Sequence, residues 1–314
     1  MLSYLARRIF FLSLTLLVTS LIVFAVTQLL PGDVCRILLG REAAGEALQA
    51  CRDELGLDLP APIQYLRWLG DFARGDWGQS YSTRDAIFPL VAGRLRNSLL
   101  LAGATLVIAV PLSILLGVLA GLNEDRPLDH LISLASLSVV GLPEFVTGVL
   151  LIELLAFRLR LLPANSSIRP EAGLIEALPM LILPALTATL VLLAYVTRLT
   201  RAGVVEELRR PYVRTARLKG LPYATVIFKH VLRNALLPTV TVLAISVGWL
   251  ISGLIVIENV FNYPGLGRLL VFAIDRRDLP LLQAVTMVTV VGFALSNLAA
   301  DLLYAALNPR IRLE

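Results

Sequence analysis

The chain has little of the chemistry that metalloproteins and enzymes need. It contains two cysteines, Cys35 and Cys51, in no CxxC pair and no Cys/His cluster, which argues against a metal or redox centre. Its two histidines, His130 and His230, are isolated from any ligand set, and no nucleophile–base pair is found. No GxxxxGK[ST] occurs, because neither Lys219 nor Lys229, the only lysines, follows a glycine; the chain cannot cradle a nucleotide by that motif. Charge is scarce as well, at 16% Asp, Glu, Lys and Arg against about 25% in soluble domains. There are no low-complexity segments and no defensible internal repeats. Catalysis is therefore not expected.

What the chain has is apolar sequence, 57% of its 314 residues. It falls in blocks of roughly 20 residues, the length at which a helix crosses a bilayer. The expected fold is all-α: a polytopic membrane protein with six transmembrane helices, Ile9–Leu30, Ser98–Ala120, and then about Leu131–Phe157, Met180–Thr200, Leu236–Ile257 and Leu281–Leu303. The first run looks like a signal peptide, but it is too long for the usual apolar core and runs into LLPGD without a small-x-small cleavage site, so it is expected to stay as a helix.

The net charge of +5 is better explained by membrane topology than by nucleic acid. With both termini inside, the inner segments carry fourteen basic residues: Arg7, Arg8, Arg126, the nine between 198 and 238, Arg310 and Arg312. The two short outer loops carry six, Arg158, Arg160, Arg169, Arg268, Arg276 and Arg277. That bias predicts an N-in, C-in arrangement. The polar insert Pro31–Arg96 then lies outside. Within it, Ile63, Leu66, Leu69 and Phe72 recur every three residues, which predicts a short amphipathic helix opened by Pro60 and Pro62. Its Tyr65, Trp68, Trp77 and Tyr81 suit either a headgroup-level surface or packing inside the insert. An oxidising compartment would permit a Cys35–Cys51 disulfide.

The polar stretch Arg198–Pro238 holds both lysines and seven arginines. Val205, Leu208, Tyr212 and Thr215 or Ala216 fall on one helical face, and Arg209, Arg210, Arg214 and Arg217 on the other. Pro211 opens a rod ending near Lys219, with Gly220 as its left-handed closing residue, and Pro222 opens the next helix. About eight residues make roughly 12 Å of helix. Such a basic rod suits another protein's groove or anionic headgroups equally well.

Two further sites stand out. Glu144, after Pro143, lies inside the third span, where a charge costs about 2.5–3.5 kcal/mol. It is either a pore-lining, gating or proton-relay carboxylate, or part of a capped helix break at Pro143. Glu153, nearer the outer end, reads as interfacial. YPGLG contains a GxG, but no strand precedes it, so a tight turn at Pro264–Gly265 is the simpler reading, placed where an outer gate would be.

RTARLKG, followed after thirteen residues by NALLP, resembles the EAA loop of bacterial ABC-importer permeases. Arg214, Thr215 and Ala216 stand at the EAA positions, Gly220 at the glycine, Leu236 at the isoleucine, and Leu237–Pro238 at the LP. Arg-Thr in place of Glu-Ala is similar to the dipeptide/oligopeptide/nickel branch. LGLDLPAPIQYLRWL, RGDWGQSY, RLRNSLLLA, GLPEFVTG, ENVFNYPGLGRLLV and DLLYAALNPRIR extend the resemblance over nearly the whole chain.

The resemblance implies a non-enzymatic permease of the bacterial inner (cytoplasmic) membrane. Its first domain, 1–96, would hold one transmembrane helix and a periplasmic insert; its second, 97–314, five helices and the coupling loop 198–238. Implied partners are a second homologous permease, two cytoplasmic ATPases holding ATP and Mg, and a periplasmic solute-binding protein. Pro211, Tyr212, Arg214, Thr215, Ala216, Arg217, Lys219 and Gly220 would form the ATPase-coupling element. The cargo would be peptides or a similar small solute, moved by alternating access. An ion-coupled secondary transporter is the alternative, but it would want charged relays across several spans. A membrane-embedded enzyme would want converging His, Asp or metal ligands.

Overall fold

The computed structural model describes residues 2–29, 35, 39, 45–168 and 174–307. Residues 30–34 after the first apolar run, and Arg169, Arg310 and Arg312 of the charge tally, lie outside them. Among the described residues the structure is helical, and the one β pairing is an isolated bridge between Gln79 and Ala86. Four helices are long and apolar enough to cross a membrane, or up to six if each of two bent pairs is one span. The chain forms two compact units: Met1–Arg96 with Arg268–Gly292, and Asn97–Gly267 with Phe293–Glu314.

In the first unit, α1 (Leu2–Leu29) is followed by α2 (Glu46–Leu55) and α3 (Ala61–Arg74). Pro60 and Pro62 start α3, where a missing N–H costs nothing. Gly75 ends it in the left-handed region (φ 84), its N–H reaching back to Asp71 and Phe72. The expected apolar row is split, with Leu69 and Phe72 on the half-buried side of α3 and Ile63 and Leu66 off it. Ile63 and Leu66 are 50% and 66% exposed, while Tyr65, Trp68 and Phe72 turn inward. Aromatic area outweighs aliphatic area here. Rings touch in series from Phe24 through Trp68, Phe72 and Trp77 to Phe88, with Phe72 and Trp77 stacked at 5.0 Å.

The second unit is organised around α7 (Leu174–Leu208). It packs on α4 (Ile87–Leu122) with both chains running the same way. Thr189 Oγ1 donates to the Thr105 carbonyl and Thr197 Oγ1 to the Ser113 carbonyl, an offset of 84 residues each time. Further along, Gly117 meets Thr200 and Gly121 meets Val204. A Cβ on Gly117 would stand 2.5 Å from that of Thr200, so the small-xxx-small pair 117/121 lets the backbones touch. Because α4 and α7 are parallel, the intervening segment must carry the chain back to the level where α4 began.

That segment, the expected third span, is broken at Pro143, as one reading of Glu144 allowed. It is α5 (Pro127–Val140) and α6 (Glu144–Leu151, continued as a π-helix to Arg158), bent by 106°. Pro143 lacks an N–H and disfavours helical geometry at the residue before it, so the helix stops at Gly141–Pro143. The expected fifth span forms as a helix that begins just after a bend. α8 (Pro211–Leu218) and α9 (Tyr223–Ala235, its middle turn a π-helix) precede α10 (Leu237–Gly253), bent 47° from α9 at Leu236. The stretch read as an outer loop contains α11 (Ile255–Val260) and α12 (Leu266–Asp275) before α13 (Leu279–Leu307). Burial of Leu266, Leu269 and Ala273, a helical period, explains α12.

Candidate functional site

The basic stretch folds as a short rod with a braced underside. Pro211 occupies the first turn of α8, and the chain enters through an extended Arg210. At the far end the Leu221 N–H reaches the Ala216 carbonyl at 3.4 Å and Gly220 N–H the Arg217 carbonyl at 3.0 Å, with Gly220 at φ 72. This is a Schellman closure, which needs a left-handed residue at Gly220. Beneath the rod, Val213 and Ala216 are buried with Val204, Val226, Ile227, Val231 and Ala235. Gly203 of α7 lies so close to α9 that a Cβ would be 2.5 Å from the Ala235 carbonyl oxygen. The Tyr212 hydroxyl donates to the Glu207 carboxylate and accepts from Asn234 Nδ2 at 3.1 Å. Burial, then Glu207, pushes that hydroxyl above the usual tyrosine range.

Of the two residues the expected inner face allowed, Ala216 is buried and Thr215 is not. Thr215 is exposed, its hydroxyl donating to the Pro211 carbonyl at 3.2 Å, and Val213 is buried as well. On the open side stand Arg214, Arg217, Lys219 and Leu218, the last 80% exposed. The Arg217 guanidinium lies 6.0 Å from the Tyr223 ring centre, and Phe228 is 73% exposed nearby in sequence. The outcome is a mixed basic and apolar face on a rigid base.

Two ion pairs absent from the sequence reading join this region to the first turn of α5 and to the turn before it. Arg201 Nε and Nη2 donate to Asp129 Oδ1 and Oδ2 at 2.5 and 2.6 Å, and Arg209 Nη2 to Glu124 Oε1 at 2.6 Å. Asp129 also accepts from the Asp125 N–H at 3.0 Å and the Ser133 hydroxyl at 3.2 Å. Arg201 lies on α7 and Arg209 just past its end, so the turn and the first residues of α5 are held at two levels.

At the other end of this unit, the segment Ile255–Leu266 is knotted onto the start of the α4 core. Ser98 Oγ donates to the buried Glu258 carboxylate at 2.6 Å and accepts from the Leu266 N–H at 2.8 Å. Asn97 Nδ2 donates to the Pro264 carbonyl at 2.9 Å, while the Tyr263 hydroxyl donates to the Asn97 carbonyl at 2.7 Å. Burial and the neighbouring Glu258 hold Tyr263 protonated. Gly265 packs directly on the Glu258 carboxylate, leaving no space for a side chain. Pro264 and Gly265 thus form the expected turn, fixed by a carboxylate the sequence reading passed over.

Glu144 begins α6 just beyond the bend, half-buried, with no side-chain capping bond. Glu153 pairs with Arg158 at 3.0 Å, both exposed. Cys35 and Cys51 are joined, with Cα atoms 5.9 Å apart. Asp278 accepts from Ser80 Oγ at 2.5 Å and the Ser82 N–H at 3.0 Å; burial, then Asp278, pushes the Tyr81 hydroxyl up to about 12. Among the described residues no cluster of three His, Cys, Asp or Glu could hold a metal ion.

Two family descriptions match nearly the whole chain. "Binding-protein-dependent transport system inner membrane component" covers residues 113–313, and the corresponding N-terminal family covers residues 1–102. The chain is 37% identical over 312 residues to the glutathione transport system permease protein GsiC of Escherichia coli, covering 99% of each. The proteins of the same name from Salmonella paratyphi A and Shigella flexneri match at 36% and 37% with the same coverage.

Proposed function

The chain belongs to the family of binding-protein-dependent transport system inner membrane components, and from that premise we propose that α8 is where a cytoplasmic ATPase drives it. The chain is a permease subunit of an ATP-binding-cassette importer in the bacterial inner membrane. Its cargo is a peptide or a peptide-like solute such as glutathione, the cargo named for its relatives. A second permease, two ATPases that bind ATP and magnesium, and a periplasmic binding protein complete the machine.

The observation that carries the coupling role is Leu218. A large aliphatic side chain 80% exposed among Arg214, Arg217 and Lys219, on a helix braced from below, calls for a partner groove. A lipid surface would take the same charges but needs no such rigid support. Movement of the rod would pass through α9 and Gly203 into α7, and through Arg201 and Arg209 into the first turn of α5 and the turn before it. The parallel course of α4 and α7 supports counting the bent α5–α6 pair as one crossing, which agrees with six spans and both termini inside. Glu144, at that bend, is assigned to the solute path; unchanged uptake rate, affinity and pH dependence in Glu144→Gln would remove that assignment.

Leu218→Asp tests the coupling directly. It should leave the permease folded, because nothing packs over the side chain, yet abolish co-purification with the ATPases and solute uptake. Wild-type retention of ATPase by this variant and by Gly220→Asp would refute the docking role.

A further inference from the structure

The outer insert contains a cleft of about 380 Å³, within the first unit, that the transport reading does not use. Its floor is aromatic: Phe24 from α1, Trp68 and Phe72 from α3, and Trp77. Its charged groups are Arg67 and Asp71, one helical turn apart on α3, and Asp76 just past the helix end. Arg67 makes no hydrogen bond or ion pair among the described residues. Asp71 meets only the exposed Arg74, at 3.6 Å. Asp76 Oδ1 accepts only the Gly78 N–H, at 3.3 Å, and the glutamines of the lining are engaged within the fold. Gln64 Nε2 donates to the Leu57 and Leu59 carbonyls, and Gln283 Nε2 to Thr27 Oγ1 at 2.6 Å. One free cation and two carboxylates therefore stand at the rim of an apolar floor.

The position of the cleft narrows its occupant. Thr27 and Gln28, in the last turns of α1, form one wall. The same end of α1 exposes Ile22, Val26 and Leu29 at 55%, 52% and 82%, an apolar surface of the kind that faces acyl chains. Ile63 and Leu66 continue an exposed apolar surface on α3. We propose that this cleft binds the headgroup of a zwitterionic phospholipid, phosphoethanolamine in class. Arg67 takes the phosphate and the Asp71–Asp76 carboxylates take the ammonium. A primary ammonium offers three N–H donors to carboxylates, which a quaternary one lacks, and a purely anionic headgroup would face two carboxylates unpaired. The site rests on α1 crossing the membrane, not on ATPase coupling, and its test involves no transport.

Two of the three tryptophans in the chain, Trp68 and Trp77, line the cleft, so their emission reports on it once Trp249 is replaced by Phe. The full-length Trp249→Phe protein in non-ionic detergent is titrated with short-chain phosphatidylethanolamine, phosphatidylcholine and phosphatidylglycerol, and separately with dialanine. Phosphatidylethanolamine should give a saturable change with the tightest apparent affinity, and Arg67→Gln or Asp71→Asn should weaken it about tenfold, the order of a charge-assisted bond. Equal or tighter binding of either other lipid overturns the proposal, as does saturation by dialanine alone. If the variants fail to fold, the lipid series on the unsubstituted background still decides.

Discussion

Arg201 grips both carboxylate oxygens of Asp129, at 2.5 and 2.6 Å, across 72 residues of sequence. The carboxylate is 1% exposed and the arginine 30%. A buried pair is weak evidence of net stabilisation, but breaking it leaves one charge without its partner. Asp129→Asn should therefore destabilise the protein by about 3 kcal/mol, read as a lower melting temperature in detergent. Adding Arg201→Gln to Asp129→Asn should cost little more, because the two residues act as one unit.

The contact between α4 and α7 depends on absent side chains. A Cβ on Gly117 would also come 2.7 Å from the Thr197 carbonyl oxygen, where backbone must move. Gly117→Leu should force α4 and α7 apart and cost upward of about 2 kcal/mol, whereas Gly103→Ala on the same helix, with open space around it, should be neutral. Melting temperatures of the two variants separate these outcomes.

Ser98 serves two partners at once. Ser98→Ala strips a donor from Glu258 and an acceptor from the Leu266 N–H, each buried, at about 1–3 kcal/mol apiece. Gly265→Ala should be worse, since its methyl group would overlap the Glu258 carboxylate. Limited proteolysis between residues 258 and 268 should accelerate in both; unaltered cleavage would mean the knot is dispensable.

The Cys35–Cys51 bond closes a loop of 16 residues, a constraint of about 3 kcal/mol on the unfolded chain. A membrane-impermeant maleimide should leave intact cells unlabelled at these positions until a reductant is added. Labelling without reductant would show the thiols free.

The primary structure was sufficient wherever a single local requirement governs. Bilayer thickness demands long apolar runs, so membrane helices are legible as runs. Pro211, Gly220 and Pro222 bound α8 because proline and a left-handed glycine act within one turn. The helical period carried from Val205 allowed Thr215 or Ala216 on the inner face, and the fold chose Ala216. A hydropathy count gave no angle for the break at Pro143 and passed over α12, which is too short to register as a span.

Only the folded chain decided which charges meet. Asp129 and Glu258 are ordinary carboxylates in a loop and at a span end until Arg201 and Ser98 arrive from 72 and 160 residues away. The parallel register of α4 on α7 was equally hidden, though Gly117 and Gly121 carried its signal in their spacing. Lengths, breaks and the basic rod follow from each residue and its near neighbours. Partners and buried charge follow from long-range packing, whose free energy depends on residues that no local window contains together.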